Sequence, residues 1–137
     1  MSRVRSRDTQ PEIRVRSTLH RLGFRFRTHR EDLPGKPDVV LPKYRAAVFV
    51  NGCFWHQHPN CRSSSRPKTR VGFWNPKLDE TVARDQRNYA RLLQLGWTPI
   101  IIWECETGRP ESLTARLRDL IERVAVGRSG SSLRAER

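Results

Sequence analysis

The sequence predicts a mixed α/β domain, a central mixed sheet flanked by helices. Three observations predict it. Stretches of helical and strand periodicity alternate in the order α-β-β-β-α-β-α. Residues 46–50 and 98–103 are apolar on both faces, as inner strands are. The length of 137 residues suits one compact domain and not two.

The elements follow in order. Thr9 and Glu12 form a capping box with Pro11 in the first turn, which starts a helix. Val15, Leu19 and Leu22 mark its apolar face, and Gly23 stops it. Residues 24–28 (Phe-Arg-Phe-Arg-Thr) alternate like a half-buried strand. Leu33-Pro-Gly-Lys-Pro37 is a turn that delivers the chain into a strand over 38–41, and another turn at 42–45 leads to the inner strand 46–50. Residues 51–76 read as irregular, longer than a connecting loop needs, and loops of that length are commonly functional. Leu78, Val82, Tyr89, Leu92 and Leu95 restore helical periodicity, which Gly96 closes before the strand over 98–103. Pro110 opens a last amphipathic helix through Leu113, Leu117, Leu120 and Val124. Residues 1–126 are expected to form the domain, and 127–137, with its Ser-Gly-Ser-Ser run, a disordered tail.

Charge narrows the function. Lys and Arg number 27 against 14 Asp and Glu, a formal charge of +13, which excludes a binder of cations and points to a polyanion. Residues 1–30 hold nine Arg and two acids, and Arg62, Arg66, Lys68 and Arg70 form a second patch suited to phosphates. No segment approaches the roughly 18 apolar residues of a membrane span, and the start lacks the apolar stretch of a secretory signal. The expectation is a soluble, intracellular protein facing nucleic acid, with no membrane partner.

Three cysteines are too few for a disulfide framework. Residues 53–61 (Cys-Phe-Trp-His-Gln-His-Pro-Asn-Cys) bring two thiols and two imidazoles within nine residues, and Cys105 adds a third thiol at the end of a strand able to run beside 46–50. Two of these thiols, one histidine and Cys105 make a tetrahedral structural zinc site. Spacing leaves open which histidine ligates, though His58 has the easier reach and would free His56 for chemistry. Asp38, at the mouth of a buried strand, is placed to hold Mg²⁺, which prefers oxygen ligands. Phosphodiester hydrolysis also needs a proton acceptor near the water, and His56 is a candidate. Turn and capping duties alone would account for Asp38 and Glu12.

These residues resemble the very-short-patch repair (Vsr) endonucleases. The resemblance is carried by Arg7-Asp-Thr9 with Pro11-Glu12, residues 33–38 and 48–56, Pro67-Lys-Thr-Arg70 with Phe73-Trp74, Arg84-Asp85, and Gly96-Trp97 with Ile102-Trp-Glu-Cys105. It implies a restriction-endonuclease-like core and Mg²⁺-dependent nicking of double-stranded DNA, 5′ of a thymine mispaired with guanine after 5-methylcytosine deamination. It implies Asp38 and the backbone carbonyl of Val50 as Mg²⁺ ligands, His56 as general base, and Glu12 as support of the hydrated site. Zinc falls to Cys53, His58, Cys61 and Cys105. Phe54 and Trp55 become an aromatic wedge, Met1 a further intercalating position, and Trp74, Lys68 and Arg70 further DNA contacts. Mismatch-repair and DNA-polymerase machinery are implied as partners, in the bacterial nucleoid, and a monomer suffices for a nick.

Three departures stand out. Family members usually carry a histidine where this chain has Asn51, which cannot carry a proton between pH 5 and 8; a slower reaction or an altered pH dependence is expected. The spacing from His58 to Cys61 is one residue longer than in some members, with Pro59 in the insert, which zinc should tolerate; members also often have a basic arm upstream of the position matching Met1. The alternatives are a nickase of unmismatched DNA in restriction or defence, and a zinc-containing binder of distorted DNA.

Overall fold

The computed structural model describes residues 8–135. Strands β1 (Arg27–Thr28), β2 (Val39–Leu41), β3 (Ala46–Asn51) and β4 (Thr98–Trp103) form one sheet in the order β1-β2-β3-β4. The first three pair antiparallel, whereas β3 and β4 run parallel, Val48 opposite Ile100 and Asn51 opposite Trp103. A parallel neighbour requires a long crossover. Helix α2 (Val71–Gln94), with the irregular segment before it, supplies that crossover.

The doubly apolar strands are explained by helices on both faces of the sheet. Val39, Leu41, Ala46, Val48, Ile100 and Ile102 meet Val15 and Leu19 of α1 (Gln10–Arg21), together with Leu113, Leu117 and Ile121 of α3 (Pro110–Ala135). The alternate residues Val40, Ala47 and Phe49 pack with Leu33, Trp97 and Leu92 of α2. Each such aliphatic side chain stabilises the fold by about 1.5–3 kcal/mol when removed from water. Among the described residues no helix is long and apolar enough to cross a membrane.

Local signals set the ends of α1. Thr9 Oγ1 accepts from Glu12 N over 3.4 Å while Glu12 Oε1 accepts from Thr9 N over 3.2 Å, and Gly23 turns the chain out at φ +87°. Three boundaries differ from the sequence expectation. Phe24 and Phe26 do pack on the core, but only Arg27 and Thr28 pair as strand, because β2 offers just Val39 and Val40 as partners. Helix α2 starts at Val71, inside the stretch read as irregular, despite Pro76. As the sixth residue of the helix, Pro76 forfeits the bond its N–H would have given Gly72 O, a loss confined to one backbone bond near the helix start. Helix α3 continues to Ala135 past the expected tail start at Gly127, since extending a formed helix needs no new nucleus.

Gly35 positions the turn before Asp38. Its φ is +79°, and a Cβ there would stand 3.0 Å from Phe49 Cε1 and 3.2 Å from Asn88 Cβ. Gly35→Ala is therefore expected to lower unfolding stability by about 1–3 kcal/mol in a urea titration. A neutral result would show that this turn is not held against Phe49.

Candidate active site

Asp38 is set by the β2–β3 ladder. Its backbone N–H donates to Val48 O over 3.0 Å, and its side chain accepts from Val50 N over 2.7 Å at Oδ2. The carboxylate is thereby pinned beside the C-terminal end of β3, where Val50 and Asn51 close the strand. Glu12, only 5% exposed, brings a second acidic group to it from the first turn of α1. Burial, then the hydrogen bond with Glu12, pushes Asp38 up to about 8 from its ordinary 3.8, against the pull of the Val50 N–H. Two acids crowded in this way are poorly solvated alone, and a hard divalent cation relieves both. The donor set thus fits such an ion.

His56 faces the same cleft from a tight turn closed by His56 N donating to Gly52 O over 3.1 Å. Its Nδ1 lies 2.6 Å from Asp85 Oδ2 on α2. A carboxylate only accepts, so Nδ1 carries the proton and Nε2 keeps its lone pair for another partner. Asn51 donates from Nδ2 to the Tyr89 hydroxyl over 2.9 Å. Glu12, Asp38, Val50, Asn51, Trp55, His56, Asp85 and Tyr89 all line one cleft of about 820 Å³.

On the other side of the 53–58 turn, ligand atoms of Cys53, His58, Cys61 and Cys105 lie within 4.8 Å of one another. His58 Nδ1 is 3.7 Å from Cys53 Sγ and 3.5 Å from Cys105 Sγ. The imidazole stacks on Trp103 at 4.2 Å, which fixes its plane. Cys105 rides on the 3-10 turn Glu104–Thr107, pinned by Glu106 Oε1, which accepts from Trp103 N over 2.9 Å. Three sulfurs and one nitrogen at this separation form a possible metal site, and the soft donor set fits zinc.

The aromatic rings gather at the cleft's rim. An extended chain would point Phe54 and Trp55 opposite ways, but the turn folds both into one cluster, with centroids 5.2 Å apart. Trp74 from α2 joins them at 5.5 and 5.8 Å. Trp55 remains 40% exposed and Phe73 47%. Such an apolar patch beside a charged cleft is unusual for a surface that meets only water. Of the basic patch, Arg66 is a strut: it bonds Gln57, Asn75 and Asp79 and so ties the irregular segment to α2. Lys68 and Arg70 are exposed, Arg70 lying over the Phe73 ring at 4.7 Å.

Comparison with known proteins places this arrangement. The family model of DNA mismatch endonuclease Vsr matches residues 1–62. The chain is 49% identical over 122 residues to the type II nicking enzyme V.XorIIP of Xanthomonas oryzae pv. oryzae, covering 89% of each. To the DNA mismatch endonuclease Vsr of Escherichia coli it is 42% identical over 126 residues, 88% of this chain and 80% of the relative. To the type II nicking enzyme V.NmeAIP of Neisseria meningitidis it is 37% identical over 124 residues, 90% and 88% respectively. The chain belongs to the Vsr family. It is a DNA endonuclease.

Within this Vsr-family fold, the sequence-predicted residues separate cleanly. Asp38, Glu12, Val50, Asn51 and His56 come together in the cleft, and the four Cys and His residues come together behind it. Met1 lies outside the described residues. Sequence reasoning gave Asp85 no task, although it is the partner of His56. A signal existed: Leu78, Val82, Asp85, Tyr89 and Leu92 share one stripe of α2, so Asp85 is an acid on the core-facing side of a helix. Such an acid needs a partner, but periodicity alone does not say which.

Proposed function

We propose that this Vsr-family endonuclease nicks one strand of duplex DNA on the 5′ side of a thymine mispaired with guanine, in a Mg²⁺-dependent reaction. The observation that carries this reading is that the exposed Trp55 lines the same cleft as Asp38 and His56. A ring that pries into the stack beside the hydrolytic groups ties cleavage to a place where the duplex opens easily. A T·G wobble is such a place, and stacking on a base returns about 1–3 kcal/mol per ring.

Asp38 and the Val50 carbonyl would hold the cation, with Glu12 in support. When bound, Mg²⁺ supplies charge to the phosphate and acidity to its water. His56 accepts the proton of the attacking water at Nε2, because Asp85 holds Nδ1–H. Cys53, His58, Cys61 and Cys105 would hold a structural zinc, which fixes the wedge directly after Cys53 and His56 within the same turn. Lys68 and Arg70 would neutralise phosphates, and Trp74 would back the wedge. Residues 1–126 would form a restriction-endonuclease-like domain acting as a monomer on nucleoid DNA alongside the repair machinery.

The likeness to V.XorIIP and V.NmeAIP, both type II nicking enzymes, favours a second reading, a nickase acting within a restriction system on paired DNA. Cleavage of matched T·G and T·A oligonucleotides with Mg²⁺, with the cut mapped, separates the two. The expected result is a T·G preference of about 10- to 100-fold, as one base pair commonly contributes. Equal rates would sink the mismatch reading and leave the nickase.

A further inference from the structure

Two cleft residues that the hydrolytic scheme does not use, Asn51 and Tyr89, are bonded to each other. Asn51, only 4% exposed, ends β3 beside Val50 and donates its amide to Tyr89. A phenol oxygen that accepts from an amide still has its own proton to give. Among the described residues no acceptor takes that proton, and Tyr89 lines the cleft. The ring is fixed, edge-on to Phe49 at 5.2 Å and one helical turn beyond Asp85 on the same stripe of α2. Burial, with the carboxylates of Asp85 and Asp38 nearby, pushes the phenol up to about 12, so it stays a donor.

We propose that Tyr89, steered by Asn51, donates a hydrogen bond to a non-bridging oxygen of the scissile phosphate. The assignment rests on reading the cleft as the cleavage site. Negative charge on the phosphate oxygens is what such a donor stabilises, and a donor already oriented needs no rearrangement as the reaction proceeds. The cleft thus holds a neutral pair, Asn51 and Tyr89, as well as the acids Glu12, Asp38 and Asp85. Neither Asn51 nor Tyr89 changes charge near neutral pH, so the pair adds no ionisation to the pH–rate profile.

The test is single-turnover nicking of whichever duplex the wild type cuts, T·G or T·A, and of its two phosphorothioate diastereomers at the cut. Tyr89→Phe keeps the ring and is expected to slow the all-oxygen substrate by about 10- to 100-fold, with DNA affinity and metal content unchanged. Sulfur is a poor acceptor, so one diastereomer should slow the wild type more than it slows the variant. In Asn51→Ala/Tyr89→Phe, which leaves neither partner of the internal bond, the rate should stay low. A rate within about twofold of wild type, or identical thio effects in both proteins, overturns the assignment. Recovery of the rate in the double variant overturns it too, because the pair would then only hold the fold. Equal cutting of T·G and T·A removes the mismatch reading and leaves the Tyr89 comparison intact. A wild type that cuts neither duplex removes the cleavage site itself, and Tyr89's assignment with it.

Discussion

Asp38→Ala is expected to reduce nicking by about 10³-fold or more, since a metal-held site supplies several kcal/mol of charge stabilisation. Zinc content and the circular dichroism spectrum should be retained. The same change should raise stability in metal-free buffer near pH 8. Asp38 is pushed up to about 8 in the fold and has an ordinary value near 3.8 in the unfolded chain. Between those values the folded state holds the proton more tightly. Raising pH through this window therefore withdraws stability, and above it the full penalty of an ionised carboxylate beside Glu12 remains. Asp38→Asn should flatten the fall of Tm between pH 4 and 8. Added Mg²⁺ should raise the Tm of wild type at pH 8 and leave that of the variant unmoved. Wild-type nicking by Asp38→Ala would remove Asp38 from the chemistry, whatever the stability data show. Activity and stability pull in opposite directions here, the usual consequence of collecting like charges for a cation.

Stripping the Cys and His cluster of metal should cost nearly as much, by a different route. Wild type is expected to carry one tightly held zinc per chain, with 1,10-phenanthroline lowering Tm and abolishing nicking together. Binding to structural sites of this kind reaches about 10–16 kcal/mol, so the metal decides the local fold. Cys53 is buried, and burial pushes its thiol up to about 12, so without a cation the pocket holds it protonated. Cys105 is exposed, which makes Cys105→Ser the cleaner variant: it removes one ligand while leaving both cores untouched. Metal affinity should fall sharply in that variant. Trp55 fluorescence should change with it, because the rings hang on the same turn. Elemental analysis that finds no zinc in the purified wild type would end this account of how the wedge is held.

These two expectations draw on different depths of information. The Thr9 and Glu12 capping box, the stop at Gly23, the inner strands and the Cys53-to-Cys61 spacing are each written in neighbouring residues, and the fold carries all of them. Helix α2 begins before Leu78, the first residue of its apolar stripe, and packing of Leu78 and Leu92 holds the helix that runs through Pro76. Phe54 and Trp55 gather with Trp74 because the 53–58 turn replaces the extended chain that alternation assumes.

By itself the sequence determined the periodicities, the caps, the basic excess and the donor types available to a cation. Those depend on residues a few positions apart, whose geometry the backbone restricts to helix, strand or turn. Only the tertiary structure decided that Asp85 meets His56 across 29 positions and that Tyr89 meets Asn51 across 38. Both meetings depend on the rotation of α2 over the sheet. That rotation is set by how whole faces pack and by no local preference.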